Sequence, residues 1–131
     1  MKNNADKKKL IYISHPSGGL EENTKEIAEI VSELYKNEAI YNNFCIVSPV
    51  HCFGFMYEDV EYYKGLSFCT DLLMHCDLML LTGNYEQSRG CNVELNMCKN
   101  KNIPYIVIRT VEELKDKLSN NMLIEELLNK L

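Results

Sequence analysis

Glu94 is the side chain in this 131-residue chain whose type and position fit least with simple packing. Cys91, Leu95 and Cys98 form the apolar stripe of a helical segment running from about Cys91 to Asn100, and Glu94 falls within that stripe, where a hydrophobe is expected. A carboxylate so placed points toward the interior. Burial raises its pKa and costs stability unless partners compensate, and such perturbed groups gather at functional sites. A slightly rotated helix would instead leave Glu94 at the stripe's edge. Tyr12 lies inside an apolar run, from which its phenol could hydrogen-bond a carboxylate; a core tyrosine is the plain alternative.

Two loops have the composition of anion sites. Ser88-Arg89-Gly90 opens the helix that carries Glu94, so that a hydroxyl, a guanidinium and free backbone amides converge at one helix start. The chain has only two arginines against twelve lysines, which marks Arg89 as a choice of its planar, multi-donor head; a solubilising surface charge is the alternative. His15-Pro16-Ser17-Gly18-Gly19 also precedes a helix, and its amides and the Ser17 hydroxyl could hold an anion, although it is neither a P-loop nor a GxGxxG fingerprint. Asn84 joins the binding candidates from the loop before Ser88. His51 stands among aromatics and could stack on or hydrogen-bond a base, or serve as a structural loop histidine, and His15 has the same two readings. Three scattered histidines without an HExxH or a Cys/His ligand spacing give no zinc site, and no cofactor is called for. The trio Cys69, His75 and Asp77 lies on a helix and a strand start, remote from these loops, and is set aside as a nucleophile.

The positions of these groups follow from the elements around them. Leu10–Ser14 reads as a first strand ended by the Pro/Gly cluster, and Glu21–Lys36 as an amphipathic helix with Ile27, Ile30, Val31 and Leu34 on one face. Phe44–Val47 reads as a second strand, followed by an irregular aromatic loop from Ser48 to Met56 that is too apolar to be an idle connection. A helix over Asp59–Cys76 places Leu66, Cys69, Leu73 and Cys76 on one stripe. A third strand over Asp77–Leu81, the Glu94 helix, a fourth strand over Tyr105–Ile108 and a two-piece helical tail broken near Ser119–Asn121 complete the pattern. Alternating strands and helices predict an α/β, flavodoxin- or Rossmann-like three-layer sandwich on a parallel sheet of four to five strands, with right-handed βαβ units. Ligands of such sheets bind beyond the carboxyl ends of the strands, where strand order reverses. That rule nominates the loops 15–19, 48–56 and 83–90.

Size, composition and charge narrow the classes. A chain of 131 residues with 46% hydrophobic and 25% charged residues and no linker-like tract reads as one domain, with residues 1–8 as a flexible tail and Lys7, Lys8 and Lys9 solvated. A net charge of -5 argues against a nucleic-acid polymer as partner. No run reaches the roughly 18–20 apolar residues of a membrane span, and the first nine residues are too polar for a secretory signal, so a cytoplasmic protein is expected. The six cysteines form no CxxC pair and are read as thiols, with Cys69/Cys76 and Cys91/Cys98 as small core residues seven apart.

In its order and spacing of residues, the stretch from about 10 to 109 resembles the nucleoside 2-deoxyribosyltransferase superfamily. That superfamily includes deoxynucleoside monophosphate N-glycosidases and an uncharacterised, often phage-encoded subfamily. The residues carrying the resemblance are Ile11 through Gly19, Ser48-Pro49, Cys76-Asp77, Ser88-Arg89-Gly90 and Glu94. It implies a nucleoside or nucleoside 5′-monophosphate ligand, Glu94 as nucleophile, Tyr12 as the group that orients it, and the glycine loop and Ser/Gly turn as holders of sugar or phosphate. It also implies a homodimer or higher homo-oligomer. A carboxylate nucleophile would attack the anomeric carbon and leave a glycosyl-enzyme ester, which water resolves in a hydrolase and a second base in a transferase. Superfamily enzymes usually place an Asp eight residues before the Asp of the Cys-Asp pair, to deal with the leaving base; here that position is Cys69. Asp71, two residues on, projects from another side of the helix. The departure at Cys69 favours the alternative, a non-catalytic nucleotide-binding module such as a sensor or sponge. A flavodoxin-like redox or signalling domain ranks last.

Overall fold

Short apolar runs, each too short for a helix, build the centre of the molecule. The computed structural model describes residues 7–131 and forms β1 (Lys9–Ser14), β2 (Phe44–Val47), β3 (Leu78–Thr82) and β4 (Tyr105–Ile108) from them. All neighbouring strands pair in parallel in the order β2-β1-β3-β4. The chain thus leaves β1 toward one edge of the sheet and returns past it to β3, so order reverses at the carboxyl ends of β1 and β3. The helices are α1 (Glu21–Lys36), α2 (Glu38–Asn43), α3 (Pro49–Phe53), α4 (Tyr62–Leu73), α5 (Arg89–Lys101), α6 (Val111–Ser119) and α7 (Met122–Lys130). The result is the α/β, flavodoxin-like sandwich expected, with four strands among the described residues. None of the helices there is long and apolar enough to cross a membrane.

The period of two along each strand sorts side chains onto two faces. Ile11, Ile13, Leu78, Leu80, Ile106 and Ile108 face one way and pack with the buried stripes of α1, α6 and α7, an almost wholly aliphatic layer. Tyr12, Met79 and Leu81 face the other way, against Cys69 and Leu73 of α4 and Cys91 and Cys98 of α5. This second layer mixes thiols, a thioether and a phenol with leucines, and it carries the site. Ser14, two residues after Tyr12, is buried on the same face. All six cysteines are free thiols; Cys69, Cys76, Cys91 and Cys98 are buried, as their spacing predicts.

Several boundaries differ from the sequence reading. Residues 1–6, most of the expected tail, lie outside the described residues, and Lys9 begins β1 instead of joining a tail. The segment from Ser48 onward is not irregular: Pro49 occupies the first turn of α3, where its missing N–H costs nothing, and a 3-10 stretch over Gly54–Asp59 follows. That stretch delays α4 to Tyr62, and Cys76 falls in the turn after the helix. Glu38–Asn43 is helical because Asn37 caps it, accepting from the Ile40 amide at 3.1 Å. α5 begins at Arg89, two residues earlier than expected, with the Ser88 hydroxyl accepting from the Cys91 amide at 3.2 Å. The tail breaks at Asn121, whose φ of 64° is left-handed.

Candidate functional site

Glu94 sits on the stripe of α5 that faces the sheet, and the structure buries it to 6% exposure beneath a cleft of about 920 Å³. Tyr12 and Ser14 reach it from β1. The Tyr12 phenol donates to Oε2, and the Ser14 hydroxyl donates to Oε1 at 2.7 Å. Thr82 donates to the Ser14 carbonyl at 2.8 Å, tying the end of β1 to the end of β3. Both carboxylate oxygens are therefore held by hydroxyls from β1, and Glu94 lines the cleft. Burial pushes the Glu94 carboxyl up to about 6, with the Tyr12 and Ser14 hydrogen bonds pulling against it. Burial, with the Glu94 charge second, holds the Tyr12 phenol far above the usual range, so Tyr12 remains a donor.

The cleft lies at the reversal point, and all three nominated loops contribute to it. From the first loop come His15, Ser17, Gly18 and Gly19. Gly18 and Gly19 have φ of 52° and 74°, and a Cβ added to either would meet nothing within 4 Å. A left-handed backbone next to open space leaves room for a ligand to approach the main chain. His15 is more structural than the sequence suggests: its side chain is 2% exposed, with Nδ1 2.6 Å from the Pro16 carbonyl and Nε2 3.1 Å from Glu26 Oε2. Gly83, φ 69°, permits this packing, since a Cβ there would stand 3.0 Å from His15 Nε2 and 3.1 Å from Pro16 Cδ.

From the third loop come Asn84, Ser88, Arg89 and Gly90. Ser88 caps α5, and Asn92 Nδ2 ties the turn by donating to the Ser88 carbonyl at 2.9 Å. Arg89 is exposed at the mouth, its guanidinium 5.5 Å from the centre of the Tyr62 ring. The other arginine, Arg109, is spent on structure. It donates to Glu86 Oε1 at 2.8 Å and lies over the Tyr85 ring, clamping the turn before α5 to the end of β4. The Arg109 hydrogen bond holds the Glu86 carboxyl near 2.

Two candidates fall elsewhere. His51 is exposed, 2.7 Å through Nδ1 from Ser48 Oγ, and lines a separate hollow of about 480 Å³ with Cys52, Val31 and Ile46. Asp71 is exposed on α4 and does not line the cleft. Cys69, set aside as remote, does line the cleft, because α4 packs beside α5. Its trio is nonetheless dispersed: His75 is exposed, and Asp77 accepts from the Leu10 amide at 2.7 Å, at the opposite end of β1. Burial raises the Cys69 thiol, with a hydrogen bond to Tyr57 opposing, so it stands as a neutral thiol. Among the described residues no cluster of His, Cys, Asp and Glu could hold a metal ion.

Residues outside the sequence-based candidates complete the site: Ser14, which holds Glu94 from β1, and Tyr57, Glu26, Glu61 and Tyr62, which line the cleft. The step of two from Tyr12 could have found Ser14. Tyr57 lies in the 3-10 stretch, where no period points to it, and its ring rests against Gly65 of α4. The arrangement is a fixed carboxylate, ionised near neutral pH, at the floor of a cleft with an arginine and a helix start at its mouth. Such a carboxylate can act as a nucleophile toward an electrophilic carbon held above it, or as a base toward an acidic proton there. A search of curated proteins finds no match for the chain. A family model described as a domain of unknown function, DUF4406, matches residues 9–107, which span β1 through most of β4 and every group of the cleft, and the chain belongs to that family.

Proposed function

We propose that the protein cleaves the N-glycosidic bond of a nucleoside or nucleoside 5′-monophosphate, with Glu94 as the nucleophile. The observation that carries this reading is the buried Glu94 carboxylate, fixed by Tyr12 and Ser14 and lining the cleft at the sheet's reversal point. A carboxylate there gains nothing by repelling a phosphate; it earns its desolvation by attacking an electrophile. The resemblance to nucleoside 2-deoxyribosyltransferases assigns the same roles to Glu94 and Tyr12. Glu94 Oε bonds to the anomeric carbon as the C–N bond breaks, and the base leaves with the bonding pair. Water or a second base then attacks the same carbon and frees the carboxylate. Arg89 with the amides at the start of α5 suits a 5′-phosphate at the mouth, and Gly18-Gly19 suits a sugar against open backbone.

A second reading, a nucleotide-binding module that does not cleave, rests on Cys69: a neutral thiol stands in the cleft where the resembling enzymes carry an Asp. Chromatography of deoxy- and ribonucleosides and their monophosphates, incubated with the protein and with Glu94→Gln, separates the two. Free base released by wild type alone supports cleavage. Thermal stabilisation by one ligand without any base release supports the binding module.

A further inference from the structure

The wall of the cleft beside Glu94 holds a pair of neutral donors. Tyr57 Oη is 3.1 Å from Cys69 Sγ and 3.5 Å from the Pro49 carbonyl, and Tyr57, Cys69 and Glu94 all line the same cleft. If the thiol donates to the phenol, the phenolic hydrogen is left with a carbonyl at the outer limit of a hydrogen bond. If the phenol donates to sulphur, it has a weak acceptor. In both arrangements the Tyr57 hydrogen is poorly held, and an oxygen or nitrogen acceptor on a ligand would take it. Burial, with Cys69 and then Glu94 adding to it, keeps the phenol well above its usual range, so it offers a hydrogen bond and keeps its proton.

Resting on the glycosidic-cleavage reading, we propose that Tyr57 is the residue that stabilises the departing base, through a hydrogen bond donated to the acceptor next to the glycosidic nitrogen. Every pyrimidine offers a carbonyl oxygen at that position and every purine a ring nitrogen. As the C–N bond breaks, its electron pair passes to the base, and the negative charge spreads onto that acceptor. A fixed donor there strengthens its bond in the transition state, in the manner of an oxyanion hole. The base departs as a hydrogen-bonded anion and takes its proton from water afterwards, so no carboxylic acid is required at position 69. Cys69 acts as a positioning residue through its 3.1 Å contact with the phenolic oxygen.

The test is a comparison of leaving groups. Tyr57→Phe keeps the ring against Gly65 and removes only the donor. Wild type and Tyr57→Phe are each given the cleaved nucleoside or nucleotide and the p-nitrophenyl glycoside of the same sugar, whose leaving group is stable as an anion without help. Tyr57→Phe should lower kcat on the natural substrate roughly 100-fold, the usual loss for one such donor. It should change kcat on the nitrophenyl glycoside less than about threefold, since that donor has nothing to stabilise there. Equal losses on both substrates, or no loss on either, would overturn the role of Tyr57 while leaving cleavage itself in place. Absence of cleavage of both substrates by wild type would overturn the glycosidase reading, and this inference with it.

Discussion

Replacing Glu94 by glutamine should make the folded protein more stable at neutral pH while abolishing turnover. The carboxyl is raised from the usual 4.5 to about 6, chiefly by burial. A carboxyl whose folded pKa is raised binds its proton more tightly in the folded chain, so its contribution to stability falls as pH rises from 4.5 through 6 and stays low above. The interval corresponds to about 2 kcal/mol of destabilisation at pH 7.5. Glutamine keeps the shape without the charge, and the Tyr12 and Ser14 hydroxyls, each able to donate or accept, can pair again with the amide. For a chain of this size, about 2 kcal/mol is worth roughly 6–8 °C in Tm. Differential scanning calorimetry of the two proteins from pH 4 to pH 8 should show that gain at pH 7.5 and its near disappearance by pH 4, where the carboxyl is protonated in both states. A Glu94→Gln protein that is less stable at pH 7.5, or a difference that does not change with pH, would refute the reasoning that Glu94 carries a desolvation cost.

On the proposed mechanism the same carboxyl should set the acid limb of activity, with kcat/KM falling below about pH 6 and flat above it in a pH–rate profile. Tyr12→Phe removes one of the two hydrogen bonds that lower the Glu94 pKa, so that limb should move to higher pH as well as the rate falling. Arg89→Ala should raise KM for a 5′-monophosphate roughly tenfold or more and leave the parent nucleoside nearly unchanged, whereas Ser88→Ala also removes the α5 cap and costs about 1 kcal/mol of stability. Gly83→Ala meets both a left-handed backbone and the His15 and Pro16 contacts, and chemical denaturation should show a loss of about 2–3 kcal/mol. Gly19→Ala has only the backbone cost, about 1 kcal/mol, and its Cβ enters open cleft, so ligand binding should suffer more than folding.

Most of the fold is written in short-range patterns. The apolar runs of β2 and β4 and the stripe of α1 are bounded by strong breakers, and the structure places them at the expected residues. α3 and the 3-10 stretch after it carry no clean period, being only one or two turns long, so the segment Ser48–Asp59 could not be read beyond its aromatic content. The burial of Glu94 follows from its place on the Cys91–Cys98 stripe, and the shared face of Tyr12 and Ser14 follows from the strand period. What could not be read is how α4 lies against α5. That packing brings Cys69 and Tyr57 to the cleft and leaves Asp71 outside it, while His51, on α3, lines a different hollow against α1 and β2. Such placements depend on contacts between elements far apart in the chain, which no local spacing encodes.

The most direct test of Glu94 as nucleophile is peptide mapping by mass spectrometry after incubation with a 2-deoxy-2-fluoroarabinosyl nucleoside, whose fluorine slows breakdown of a glycosyl ester more than its formation. A sugar adduct on the peptide containing Glu94, absent from Glu94→Gln, is the predicted result. An adduct on another residue, or undiminished base release by Glu94→Gln, would contradict it.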